Sequence, residues 1–168
     1  GEFAFYDCSS LTSVVIGNSV TSIGDDAFCA CIYLSKTNYT GSIDQWAMIE
    51  FGDSWSNPIY FSNNLYINDV LVTEANLTTA TYISDYAFYK CYSLTSVTIG
   101  NSVTSIGSSA FRNCISLTSI EIPNNVTSIG ECAFYCCYKL VEAYNKSSLN
   151  ITKGSTNNGY VGFYALNI

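Results

Sequence analysis

The chain has 168 residues, 48% hydrophobic and 15% aromatic, so it is long and apolar enough to bury the core of one domain. Only 11% of the residues are charged and the formal net charge is −7, which argues against nucleic acid or an anionic membrane as a partner because both require a basic face. The absence of histidine excludes Ser-His-Asp and Cys-His catalytic groups and histidine-ligated zinc. No apolar run reaches the roughly twenty residues of a transmembrane helix, so no membrane insertion is expected.

One pattern recurs along the chain with a period of 23 residues. An Ala-Phe pair is followed three residues after the Phe by a Cys and three residues later by a Leu, and the Phe residues are Phe5, Phe28, Phe88, Phe111 and Phe134. The clearest copies continue with a Leu-Thr-Ser-Val-Thr-Ile type of segment and then with Val-Thr-Ser-Ile-Gly. The pattern therefore predicts a repeat protein. It is already under way at the first residue and unfinished at the last, so we expect the chain to be a fragment of a longer array.

Each repeat predicts four pieces of local structure in chain order. The Leu-x-x-Val-x-Ile segment ends in alternating β-branched residues, which is typical of a short half-buried strand. Residues 100–102 (Gly-Asn-Ser) have turn chemistry, Val-Thr-Ser-Ile predicts a second extended segment, and the glycine that follows, Gly107, permits a sharp bend. Residues 108–114 then predict one or two helical turns with a serine as the N-cap. One such unit cannot cover its own apolar residues, so stacking into a solenoid is expected.

The segments Leu-x-x-Val/Ile-x-Ile, Val-Thr-Ser-Ile-Gly and Ala-Phe-x-x-Cys-x-x-Leu together resemble the BspA-like class of bacterial leucine-rich repeats. The resemblance covers nearly the whole chain. It implies an α/β fold, a right-handed leucine-rich-repeat solenoid of about six coils with short parallel strands, short helical turns and one insert. Residues 1–168 would form this single solenoid. It also implies a cell-surface or secreted protein of a host-associated microbe, with a role in adhesion.

The repeat is interrupted between Phe28 and Phe88, which are 60 residues apart, or two repeats plus 14 residues. The extra residues lie at about 39–72. There, Ser-Ile-Asp-Gln at 42–45 has the pattern of a capping box and begins a short predicted helix. Residues 65–72 predict a hairpin with a two-residue Asn-Asp turn. One repeat strand is expected after Leu34 and another before residue 80.

The insert holds both tryptophans of the chain, Trp46 and Trp55, together with several other aromatic residues. One interpretation is an aromatic ligand-binding surface, because Trp and Tyr are favoured anchors in interfaces. The other is that these rings pack the insert onto the solenoid. In an intermediate case some rings pack while Trp55, which lies in a polar, loop-like stretch, stays accessible.

The eight cysteines do not form an obvious disulfide framework. Five of them, Cys8, Cys31, Cys91, Cys114 and Cys137, occupy one repeat position, where we expect small buried residues that face the backbone of their own coil. Parallel Cβ directions in such a column are poorly suited to bridging. The other three fall in different columns, so we expect reduced thiols, no zinc site and no other cofactor.

In a leucine-rich coil, strand residues between the inward-facing positions lie on the concave side. The candidate ligand-binding residues on this side are Asn38, Asn76, Thr98, Glu121 and Tyr144. Such small and polar residues are suited to hydrogen bonding with an extended protein or glycan, through many weak contacts. A concave face that binds nothing is the competing interpretation. A catalytic carboxylate pair, Glu121 and Glu142, is less consistent with solvated strand positions.

The leading hypothesis is a non-enzymatic module that binds a host or neighbouring-cell protein or glycan. A structural stalk that spaces another domain from the cell is the first alternative. An accessory module of a larger surface enzyme is the second.

Overall fold

A computed structural model describes residues 1–151, and these form a solenoid of stacked coils, as predicted. The predicted continuation over residues 152–168 lies outside the described residues. In chain order the elements are β1 (Ser13–Ile16), β2 (Ser22–Ile23), β3 (Lys36–Tyr39), α1 (Ile43–Ala47), β4 (Glu50–Phe51), α2 (Ile59–Ser62), β5 (Leu65–Ile67), β6 (Val70–Leu71), β7 (Glu74–Leu77), β8 (Ser96–Ile99), β9 (Ser105–Ile106), β10 (Ser119–Ile122), β11 (Ser128–Ile129) and β12 (Glu142–Asn145).

The longer strand of each coil forms a parallel ladder with its neighbours. Strands β1, β3 and β5 pair in one sheet, and β7, β8, β10 and β12 pair in another. In β1, β7, β8 and β10 alternate side chains are buried, as Val97 and Ile99 are in β8, while the residues between them face outward. This alternation confirms the short half-buried strands predicted from the repeat.

A second ladder of two-residue strands explains the glycine column. Strand β2 pairs with β4, and β9 pairs with β11. A Cβ atom on Gly107 or Gly130 would collide with the backbone of the preceding coil, and neither glycine has a positive φ. A left-handed backbone is therefore not the reason for glycine at this position. Glycine stands here because adjacent coils approach too closely for a side chain.

The segments around each Phe form consecutive tight turns where helical turns were predicted. In one coil Ser109 and Asn113 have φ values of 53° and 63°, which are left-handed, and equivalent residues in the other coils share this conformation. As a result the N–H groups of Ser109, Phe111 and Asn113 donate to carbonyl groups of the next coil at 2.8–2.9 Å. A right-handed helix would instead satisfy its donors within one segment. The left-handed residues thus create a third ladder between coils.

The repeated phenylalanines stack in rows inside the solenoid. Ring centroids are 5.0 Å apart for Phe5 and Phe28, 5.2 Å for Phe88 and Phe111, and 5.3 Å for Phe111 and Phe134, with nearly parallel planes. Between Phe28 and Phe88 the insert replaces one layer of the Phe row. The predicted register of identical side chains is therefore confirmed on both sides of the insert.

The cysteine column is bonded to the neighbouring coil. The Sγ atoms of Cys31, Cys114 and Cys137 each donate to the carbonyl oxygen of the Phe in the preceding coil at 3.1 Å. The expectation that these thiols face their own coil is wrong, because the Phe carbonyl of the coil before lies nearer to them. All eight cysteines are free thiols in the structure.

The insert contains the predicted helix and hairpin. Ser42 Oγ accepts from the Gln45 N–H while Gln45 Oε1 accepts from the Ser42 N–H, so the capping box begins α1. Strands β5 and β6 pair antiparallel across Asn68 and Asp69, which both have positive φ as a two-residue hairpin turn requires. The helix α2, which lies between these elements, was not predicted from the sequence.

The short helix α1 joins the two parts of the solenoid. The buried Asp44 Oδ1 accepts from the backbone N–H groups of Thr79 and Ala80 at 2.8 and 2.7 Å. At the other side of the helix the Trp46 Nε1–H donates to the Ala87 carbonyl at 2.8 Å. These contacts replace strand pairing at a point where both parallel ladders are interrupted.

Candidate functional site

Four of the predicted ligand-binding residues form a line across the C-terminal sheet, which we call the strand face: Asn76, Thr98, Glu121 and Tyr144. Each occupies an outward position of its strand and is exposed. Asn76 pairs with Thr98, and Glu121 pairs with Tyr144. Because β8 and β10 also pair in register, the four side chains follow one another at the strand spacing of about 4.8 Å.

The strand face carries both charge signs near its C-terminal end. Lys146 Nζ lies 2.8 Å from Glu121 Oε1 in an exposed ion pair. The Tyr144 hydroxyl donates to Glu142 Oε2 at 3.1 Å, and this hydrogen bond to the carboxylate raises the pKa of Tyr144. The surface therefore offers an amide, a hydroxyl, a carboxylate and a phenol to a partner.

Asn38 does not belong to this accessible surface, which corrects the prediction. Its side chain is only 5% exposed, and its Oδ1 accepts from the backbone N–H of Asp69 at 2.9 Å. Asp69 also forms an ion pair with Lys36 at 2.7 Å. The β5–β6 hairpin therefore folds over Asn38 and uses its hydrogen-bonding capacity for the turn.

Trp46 is likewise corrected, because it is a core residue. Its side chain is fully buried, and it packs edge-on against Tyr39 and near Phe51 with centroid distances of 5.5 Å. Together with the hydrogen bond to Ala87, this leaves no part of the indole for a ligand. The capping-box pattern predicted the helix but did not indicate that the Trp46 indole faces the core.

Trp55 remains accessible, with 43% of its surface exposed, and lies beside an aromatic and cationic column that the sequence analysis missed. Tyr60 stacks on Tyr89 at 5.7 Å, and the Arg112 guanidinium lies 5.9 Å from the Tyr89 ring and 5.0 Å from the Tyr135 ring. The signal was present in the sequence, because Tyr89, Arg112 and Tyr135 each follow the repeated Phe. Since the ring faces are occupied by one another, this column packs the insert onto the coils.

The buried thiols are poor nucleophiles. Burial raises the pKa of Cys91 to about 11 and that of Cys137 to about 12, and it also raises the pKa of Cys114. A thiol in this state carries little thiolate near neutral pH, and the thiolate is the reactive form. Within residues 1–151 no group of three or more Cys, Asp or Glu residues is arranged to hold a metal ion. None of the helices described is long and apolar enough to cross a membrane.

Two solved bacterial structures resemble the chain. One is a leucine-rich cell-surface protein from Faecalibacterium prausnitzii, with 27% identity and a TM-score of 0.54 over 88% of this chain and 44% of that protein. The other is a leucine-rich repeat protein from Eubacterium ventriosum, with 22% identity and a TM-score of 0.59 over 90% of this chain and 39% of that protein. The chain spans less than half the length of either structure. No curated protein shows a significant match.

A family model decides the classification. The BspA-type leucine-rich repeat region matches residues 1–71 and 81–159 in six copies. The matched ranges contain the stacked Phe and Cys columns on both sides of the insert, so sequence pattern and coil geometry agree. The chain belongs to the BspA-type leucine-rich repeat family.

Proposed function

We propose that the chain is a non-enzymatic binding module of a cell-surface or secreted protein, which engages a protein or glycan through the strand face. The observation that carries this proposal is the line of exposed residues on four paired strands. A rigid ladder holds the four side chains at fixed spacing, so an extended partner can meet several of them at once with little loss of conformational freedom.

Localisation and the absence of catalysis are part of the same proposal. The similar protein from Faecalibacterium prausnitzii is a cell-surface protein, and this chain carries the same type of repeat. The chain contains no histidine, and its column thiols are mostly buried and protonated. A surface of mixed polar groups on a regular scaffold is suited to recognition through many modest contacts.

The test is a binding screen of the whole chain against immobilised extracellular-matrix proteins and a glycan array. For any partner found, Thr98→Lys and Tyr144→Ala should each weaken binding about tenfold or more, because the first places a long cation near the centre of the strand face and the second removes its aromatic side chain. The matched control is Tyr33→Ala, which removes another exposed tyrosine, 66% exposed against 52% for Tyr144, from outside the strands. Equal loss in the control, or undiminished binding in both strand-face variants, would contradict the proposal.

A structural spacer is the second candidate, and the stacking of the coils on both sides of the insert favours it. Three hydrogen-bonded ladders and the Phe rows make the solenoid an elongated rigid element. In this case removing one 23-residue repeat from the whole surface protein would shorten its reach without changing the affinity for any partner. Loss of affinity in that deletion would favour the binding module.

A further inference from the structure

The second ladder is open between β4 and the next coil. Strand β4 pairs with β2 on one side, and no strand among residues 1–151 pairs with its other side. The N–H groups of Glu50 and Gly52 donate toward the β2 side. Because backbone groups alternate along a strand, the N–H and C=O of Phe51 face away from β2. Ile83, on the far side of the gap, pairs instead with Ile106.

This gap is part of a continuous depression that we call the junction groove. One part has a volume of about 280 Å³ and is lined by residues that include Glu50, Phe51, Ser84 and Asp85. A second part of about 350 Å³ shares Glu50 and Tyr82 with the first. The groove exists because α1 takes the space in which a regular coil would have stacked.

Ser84 lies at the gap beside β4 and differs in sequence from the equivalent residues of the following coils. It occupies the position that is Gly107 and Gly130 in the following coils, where a Cβ would collide with the coil before. At Ser84 the preceding neighbour is the end of α1 and not a strand, and the Ser84 N–H donates to the Ala47 carbonyl at 2.8 Å. Ser84 lines the groove, and its buried Oγ has no hydrogen-bond partner among residues 1–151. An unpartnered buried hydroxyl is costly and points to a polar group that completes it.

The charges that line the groove are of one sign. Glu50 and Asp85 line it, whereas no Lys or Arg of the described residues does. Four of the five described Lys and Arg residues have partners elsewhere: Lys36 and Lys146 are in ion pairs, and Lys90 and Arg112 lie over aromatic rings. The groove is therefore complementary to a cationic ligand.

We propose that the junction groove binds an extended basic peptide segment of a partner protein, which adds a strand to the free edge of β4. The peptide backbone pairs with the N–H and C=O of Phe51, a lysine or arginine side chain reaches Glu50 or Asp85, and a polar group meets the Ser84 hydroxyl. This site is distinct from the strand face, so the two proposals stand or fall separately.

The experiment measures binding of a labelled Lys-Val-Lys-Val-Lys-Val peptide to the whole chain by fluorescence anisotropy at low salt. We expect saturable binding that weakens as salt is raised, and at least tenfold weaker binding of the matched Glu-Val-Glu-Val-Glu-Val peptide. Methylation of the central backbone nitrogen should weaken binding about tenfold, because it removes a donor required for strand pairing. Hydrogen exchange should show new protection of the Phe51 amide when the basic peptide is bound.

A pair of charge-removing variants tests whether the peptide binds in the junction groove. Glu50→Gln should weaken peptide binding about three- to tenfold, while Glu74→Gln, which removes one exposed carboxylate from β7, should leave it unchanged. Tyr144→Ala should also leave it unchanged, so a failure here is separable from a failure of the strand-face proposal.

Three results would overturn the inference. They are equal binding of the acidic or N-methylated peptide, equal weakening by Glu74→Gln, and Phe51 protection caused by a neutral oligosaccharide such as maltohexaose when the basic peptide does not bind.

Discussion

The regular coils and the insert are stabilised by different kinds of contact. In the coils at residues 88–145, identical side chains stack on themselves, and the Phe rings at 5.2–5.3 Å show how little each layer differs from the next. In the insert, order depends on single contacts that occur once, such as those of Asp44 and Trp46. In the repeats, many similar weak contacts add up to a stable structure. The stability of the junction instead depends on a few contacts that occur only once.

The largest effect should come from removing a central rung of the Phe row. Phe111→Ala should lower the free energy of unfolding by about 3–5 kcal/mol, because the ring is fully buried between two others. Phe5→Ala should cost clearly less, since Phe5 is 40% exposed in the first coil. Urea denaturation of both variants measures the difference. Equal costs would contradict the stacking description.

The stability of the junction between the insert and the following coils should depend on the carboxylate of Asp44. Asp44→Ala should lower stability by about 2–3 kcal/mol, because it leaves the buried N–H of Ala80 and the partly buried N–H of Thr79 without their acceptor. Asp44→Asn keeps an oxygen in place and should cost less. Denaturation followed by tryptophan fluorescence, which reports on Trp46 in the same helix, measures both. If Asn and Ala cost the same, the two hydrogen bonds do not hold the junction.

Alkaline pH should weaken the regular coils through their thiols. The pKa of Cys91 is raised by burial to about 11 from an unfolded value of 9.0, so its contribution is complete below pH 9 and is lost as pH rises from 9 through 11. At pH 11 this loss amounts to about 2 kcal/mol for one such thiol.

The test for the thiol is the pH dependence of unfolding in the chain and in Cys91→Ala. The variant should lose less stability between pH 9 and 11 than the unaltered chain does. Parallel curves for the two proteins would contradict the prediction.

The smallest expected effect on stability is the difference between alanine substitutions at two glycines. Gly107→Ala should cost about 1–3 kcal/mol, because the new Cβ meets the backbone of the preceding coil at Ser84 and Asp85. Gly17→Ala is the matched control, since a Cβ there meets nothing within 4 Å, and it should be neutral or slightly stabilising. Thermal unfolding distinguishes them, and a neutral Gly107→Ala would show that coils can separate without cost.

Repetition made most of the fold predictable. The strands, the Phe rows, the capping box of α1 and the Asn68-Asp69 turn all follow from local residue patterns, because each depends on neighbours in sequence or one period away. The turns around Phe111 were predicted as helical because their apolar residues recur at a spacing of three, which is also typical of a helix. In the structure these turns have hydrogen bonds between residues three apart, such as Arg112 N–H to the Ser109 carbonyl. Their left-handed residues are fixed by bonds to the next coil.

The candidate site was less predictable. The exposure of Asn76, Thr98, Glu121 and Tyr144 followed from strand alternation alone. The burial of Asn38 and Trp46 did not, because it depends on where the hairpin and α1 fold over the sheet. The Tyr89–Arg112–Tyr135 column could have been found in the repeat alignment, although its partner Tyr60 comes from α2 of the insert.

By itself the sequence determined the period, the inward side chains and the family, since these repeat every 23 residues and need no knowledge of distant contacts. Only the tertiary structure decided which aromatic rings are buried, which backbone each thiol meets, and that the ladder beside β4 is left open. These features arise where a non-repeating segment meets the repeats. There, packing between residues far apart in sequence decides the outcome, and no local pattern encodes it.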